Sequence, residues 1–159
     1  MKTDPILQAL AGTYSLLNTT YYKLGNPTTP SSYQTLQKGI LVYSPWGYVS
    51  ANIVSTDPAK RPLNVTAPPN LTGSEHDWAL LGQYSLSYSG PLQLDGNSTN
   101  TERRGRVLHG PVVVSNIPSL EGGTMPREYL VFEREGDSFL SLSFANNVTR
   151  AEILWRRVL

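Results

Sequence analysis

The chain has two histidines, His76 and His109, and a single imidazole can give or take a proton near neutral pH because its unperturbed pKa is about 6.5. His109 is the stronger candidate for chemistry. It lies in a β-rich run, Val107-Leu108-His109-Gly110, next to a Gly110-Pro111 kink that can aim a side chain into a cavity. General acid or base is one reading of it; a structural imidazole, bonded to a backbone carbonyl or exposed, is the other. Arg127 and Glu128 are sequence neighbours, so a strand through them sends their side chains to opposite faces. An inward Glu128, beside Leu130 and Phe132, is a candidate base or a partner for His109. An inward Arg127, beside Tyr129 and Val131, is a candidate to hold an enolate or a carboxylate. A solvated surface place remains the plain alternative for either.

Around these, Tyr43, Tyr48, Tyr84 and Tyr88 each offer a flat apolar face and one hydroxyl to a ligand. Ser50 and Asn52 share a strand face with Tyr48 and are candidates to orient a carbonyl. Trp46, at a turn, and Trp78, on a helix, are candidates to gate a cavity mouth. Ordinary packing explains each aromatic equally simply. Trp155 is assigned to structure.

Missing signals narrow the chemistry further. There is no Gly-x-Gly-x-x-Gly, no Gly-x-x-x-x-Gly-Lys-Ser/Thr and no Gly-x-Ser-x-Gly. With no cysteine, thiolate nucleophiles, thiolate metal sites and disulfides are excluded together. Two histidines are too few for a His-rich metal site, so neither metal nor cofactor is expected. Catalysis in such a chain rests on positioning, hydrogen-bond donors and one general acid or base.

The elements that must position these residues are mostly strands. Asp4-Pro5-Ile6-Leu7-Gln8-Ala9-Leu10-Ala11 reads as a short helix, with Asp4 as cap and Pro5 at its first position. Thr13–Tyr22 alternates as a strand with Tyr14, Leu16 and Asn18 on one face. Lys23–Ser32 reads as a loop. A hairpin follows at about 38–55, turning at Ser44-Pro45-Trp46-Gly47. Four prolines fall between Thr56 and Gly73, a long loop of the kind that covers something. Ser74–Tyr88 carries a helix signature with Leu80, Leu81, Tyr84 and Tyr88 at helical spacing, and with the loop it is expected to form a lid. Pro91–Leu94, Arg104–Ile117 (broken at Gly110-Pro111), Arg127–Glu133, Ser138–Phe144 and Ala151–Val158 read as further strands. About eight strands in near-meander order predict an all-β chain, a single closed antiparallel barrel of residues 1–159 with room for one small ligand.

Composition agrees with one domain of 159 residues. A net charge of +1 with scattered basic residues argues against nucleic acid or a membrane surface as partner. No apolar run reaches the roughly 18 residues of a membrane span, and no secretory signal is read, so a soluble cytoplasmic protein is expected. Asn-x-Ser/Thr triplets begin at Asn18, Asn64, Asn70, Asn97 and Asn147, in keeping with the Ser/Thr-rich composition. The expected partner is a small apolar organic molecule, with a homodimer left open.

Gly12-Thr13-Tyr14 and Leu154-Trp155-Arg156-Arg157 resemble the paired end motifs of lipocalin-like barrels, where a C-terminal Arg packs on an aromatic at the closed end. The middle resembles the lipocalin-like domain family of bacteria and fungi. Its conserved block is matched by Lys38-Gly39, Leu41, Tyr43, Pro45, Gly47, Ser50-Ala51 and Ile53, followed by Tyr88-Ser89-Gly90 after a helix and by a strand with His109. Where many members show Gln-x-Arg before the penultimate hairpin, this chain reads Pro126-Arg127-Glu128-Tyr129-Leu130. The resemblance implies a barrel that either carries an apolar metabolite or acts, without a cofactor, as an isomerase or cyclase on a polyketide- or terpenoid-like intermediate of secondary metabolism. In the enzymatic reading His109 is the acid or base, and a tyrosine, Arg127 or Glu128 assists it.

Overall fold

The computed structural model describes residues 4–23, 26–28 (backbone only), 37–68 and 70–158. A one-turn-and-a-half helix, α1 (Pro5–Leu10), leads into β1 (Gly12–Lys23), with a three-residue strand β2 (Asn26–Thr28) folded back on it. The hairpin of β3 (Gln37–Ser44) and β4 (Tyr48–Ser55) follows, then helix α2 (Glu75–Gln83) and β5 (Ser85–Leu94). The remaining strands are β6 (Arg104–His109), the two-residue β7 (Val114–Ser115), β8 (Met125–Arg134), β9 (Asp137–Ala145) and β10 (Thr149–Arg157). Hydrogen bonding runs β1-β3-β4-β5-β6-β8-β9-β10 and returns to β1, all antiparallel, so eight strands close a barrel while β2 and β7 pair outside that circuit. Closure leaves no barrel strand with an open edge.

Local chemistry explains the punctuation. Asp4 accepts from the Ile6 amide and caps α1 at 2.8 Å. Ser44-Pro45-Trp46-Gly47 makes the β3–β4 turn, with Gly47 at φ 80° and its amide donating to the Ser44 carbonyl. Gly90 in β5 is required by space: a Cβ there would stand 2.7 Å from the Pro111 carbonyl oxygen, where the chain crosses close after β6.

Helix α2 is shorter than its spacing predicts. It has a full Ser74/Asp77 capping box but ends at Gln83, and Leu86, Tyr88 and Leu92 belong to β5. Tyr84 is the C-cap of α2, its amide donating to the Leu80 carbonyl, and Tyr88 lies in β5, so their helical spacing spans the end of the helix. No residue of α2 is buried. Of the Lys23–Ser32 loop, residues 24, 25 and 29–32 lie outside the described residues, while Asn26–Thr28 pair with β1.

Strand β1 slips by one residue between Leu16 and Asn18 in its pairing with β10. Tyr14 and Leu16 point inward before the bulge; after it Asn18 is exposed, and Thr19 and Tyr21 take the inner face. The plain alternation that placed Asn18 beside Tyr14 and Leu16 is therefore corrected by the extra residue.

The end nearest α1 is tightly packed by Leu10, Tyr14, Tyr43, Leu92 and Leu140. Tyr14 donates its hydroxyl to the Leu10 carbonyl at 2.6 Å. Arg157 stands over the Tyr14 ring, 5.3 Å from its centroid, and one terminal nitrogen serves the carbonyls of Ala9 and Ala11 and the Tyr14 hydroxyl at 2.7–3.0 Å. The expected Arg–aromatic seal is thus present, and it also satisfies carbonyls at the end of α1. Truncating Arg157 to Ala is expected to cost about 2 kcal/mol, from the half-buried Ala9 and Ala11 carbonyls left without this donor and the lost stacking on Tyr14; urea unfolding with an unchanged midpoint would show that the seal contributes nothing.

Candidate functional site

A cavity of about 150 Å³ opens in the other half of the barrel. Its wall is mainly apolar, with Leu41 from β3, Ile53 from β4, Leu86 from β5, Leu142 from β9 and Ile153 and Trp155 from β10. Thr19 and Tyr21, brought inward by the bulge, add polar groups, as do Gln37, Tyr84 and Ser85. Two groups matter most, Tyr88 and Arg127.

Arg127 reaches the interior because β8 pairs with β6 in a register that sets it beside the buried Val107. Its guanidinium lies 4.4 Å from the centroid of Phe144 and donates at 2.8 Å to the carbonyl of Pro126, with a longer approach of 3.6 Å to the Met125 sulfur. Among the described residues no carboxylate pairs with it, and none of those lining the cavity is acidic. Burial pulls its pKa below the ordinary value, but an arginine starts so high that it stays cationic at neutral pH. An unpaired cation in a mostly apolar chamber is costly unless something anionic joins it.

His109 sits beneath this chamber, fully buried, and is not part of the wall. Both ring nitrogens are taken: Nε2 by the Tyr43 hydroxyl at 2.6 Å and Nδ1 by the Tyr88 hydroxyl at 2.8 Å. Burial first, and the Arg127 charge second, push its pKa down to about 3. The imidazole is therefore neutral at physiological pH. Desolvation likewise raises Tyr88 to about 12 and Tyr43 well above the phenol range, so both keep their protons. Of the two readings of His109, this geometry favours the structural one. Acid–base work on a bound molecule needs an accessible ring nitrogen, and neither is free.

The structure separates the other candidates. Tyr84 and Tyr88 line the cavity, whereas Tyr43 lies in the packed core below it. Glu128 points out of the barrel, opposite to Arg127, and accepts weakly from Ser143 at 3.4 Å. Tyr48, Ser50 and Asn52 lie on the outer face of β4, Tyr48 being 58 % exposed, and Ser50 is held by the Ser89 hydroxyl. The inner face of β4 carries Val49, Ala51 and Ile53 instead. Val49 and Ala51 stand opposite Tyr43 and Leu41, where small neighbours make room for the larger side chains. Trp46, 79 % exposed at the hairpin tip, and Trp78 on α2, which donates its indole N–H to the Thr72 carbonyl, are not among the residues lining the cavity. Trp155, assigned from sequence to structure alone, also forms cavity wall.

Among the described residues no group of three or more His, Cys, Asp or Glu side chains could hold a metal. No helix among them is long and apolar enough to cross a membrane. A family model described as "Lipocalin-like domain" matches residues 11–158. No curated protein and no solved structure matches the chain.

Proposed function

Since the chain belongs to the lipocalin-like domain family, whose fold suits the binding of small molecules, we propose that it binds a small, largely apolar acid, a carboxylate or an enolised dicarbonyl, with its anionic oxygen on Arg127. The observation that supports this reading is the guanidinium lining the cavity with no carboxylate among the described residues to neutralise it. The volume sets the size class, because an apolar cavity of about 150 Å³ takes roughly one benzene-sized ring. The test is calorimetry with matched one-ring probes, benzoate against benzamide and toluene. Benzoate is expected to bind at least about tenfold tighter than either neutral probe, since a charge-assisted hydrogen bond is worth more than a neutral one. Equal affinities, or no binding of benzoate, would sink the reading.

A second reading, a cofactor-independent isomerase or cyclase, is favoured by the same pair of donors. Arg127 and the Tyr88 hydroxyl suit the stabilisation of negative charge developing on a carbonyl oxygen. Catalysis would then run through that oxyanion, with His109 holding Tyr88 in place. A protein-dependent rise in deuterium exchange at the carbon between the carbonyls of a small cyclic 1,3-dicarbonyl would mark such enolisation. Exchange at the buffer rate leaves the carrier.

A further inference from the structure

Resting on the binding reading above and deepening it, we propose that the Tyr43–His109–Tyr88 triad holds the imidazole with its proton on Nδ1, so that Tyr88 offers its own hydroxyl hydrogen to the ligand oxygen at Arg127. The argument is a count of hydrogens. A neutral imidazole has one N–H and one lone pair, and each phenol has one O–H. Two bonds join the three groups, so one tyrosine donates to the ring while the other accepts from it and keeps its hydrogen for a further partner.

The surroundings of the two tyrosines decide which is which. Tyr43 is 1 % exposed, and its hydroxyl has His109 as its only hydrogen-bond partner among the described residues. Were it the accepting phenol, its hydrogen would be buried with nothing to bond, an arrangement folded proteins avoid. Tyr43 therefore donates to Nε2, and Nδ1–H donates to Tyr88. The hydrogen left over belongs to the one member of the triad that lines the cavity. Both phenols are held in their protonated form by burial, which keeps the count valid at neutral pH.

Arg127 and Tyr88 are thus two donors from the lining of one chamber. The ligand they match presents acceptor oxygens, as a carboxylate or enolate does. A hydrocarbon of equal shape would leave these donors unpaired, and the loss of a hydrogen-bonding group is discriminated strongly. His109 is on this account a positioning residue that sets ligand polarity without touching the ligand.

The direct test is ¹⁵N NMR of the imidazole in the unliganded, full-length protein at neutral pH. The expected spectrum has a protonated Nδ1 and an unprotonated Nε2; a protonated Nε2 overturns the inference and leaves the binding reading untouched. The second measurement uses Tyr88→Phe, which is expected to weaken benzoate at least about tenfold while leaving toluene affinity unchanged. An equal loss for both probes would show that Tyr88 only shapes the chamber and would also overturn it. Should benzoate fail to bind the unaltered protein while Nδ1 carries the proton, the binding reading falls and the relay itself stands.

Discussion

Replacing Arg127 with methionine is expected to weaken binding of an acidic one-ring ligand by more than about a hundredfold and, at the same time, to leave the protein as stable or stabler. The two effects have one cause. The guanidinium is half-buried beside Phe144 with a backbone carbonyl and a sulfur for company, and among the described residues no carboxylate offsets its desolvation. Removing a partly desolvated charge that lacks a carboxylate partner relieves that cost, and replacing even fully buried ionic groups by apolar ones of similar volume is often neutral or stabilising. Losing the cation from a complex with an anion costs about 2–5 kcal/mol, because the ligand charge is then buried alone. Calorimetry with benzoate and a thermal melt on the same two proteins check both signs. A variant that melts much lower would show that Arg127 serves the fold; a variant that binds as before would show that the anion is held elsewhere.

The second large effect is an acid-induced loss of stability governed by His109. Its pKa falls from an ordinary 6.5 to about 3 in the folded chain, so between those values the unfolded chain takes up a proton that the folded one refuses. Stability is therefore fully present above pH 6.5 and is lost as pH falls toward 3. The slope is about 1.4 kcal/mol per pH unit, which gives about 2–3 kcal/mol between pH 6.5 and about 4.5, before most carboxylates titrate. His109 is completely buried, so solvent screening offers little relief. Urea titrations across that window should show the slope in the native protein and in His76→Gln, whose imidazole is exposed, and a flat profile in His109→Gln. A slope that survives in His109→Gln would assign the acid sensitivity to other groups.

Much of the architecture was legible from the chain. The hairpin around Ser44-Pro45-Trp46-Gly47, the cap at Asp4 and the break at Gly110-Pro111 each follow from local chemistry that tertiary packing did not override, whereas the Arg157–Tyr14 seal was legible only through the family resemblance of the two chain ends. The phase of individual strands was harder. On β4 the residues Tyr48, Ser50 and Asn52 look as suitable for a pocket as Val49, Ala51 and Ile53, and only the neighbours across the sheet choose between them. On β8 the alternation of Arg127, Tyr129 and Val131 is as mixed as that of Glu128, Leu130 and Phe132, so no local pattern singles out the inward cation. The role of His109 depends on Tyr43 and Tyr88, 66 and 21 residues away along the chain, which no short-range spacing reveals. The overlong helix around Tyr84 and Tyr88 is the ordinary ambiguity of a short apolar run.

The one-residue slip between Leu16 and Asn18 has a consequence for how such a barrel can diversify. Below it, β1 contributes Tyr14 and Leu16 to a close-packed plug; above it, the same strand contributes Thr19 and Tyr21 to a hollow. The half-buried residues of the hollow, Thr19, Tyr21, Gln37 and Ser85, can be exchanged at smaller cost than Leu41, Leu142 and Trp155, which line it and also belong to the buried core. Selection on ligand choice and selection on foldedness then act on different halves of one strand, and a lineage can change what it holds without relearning how to fold.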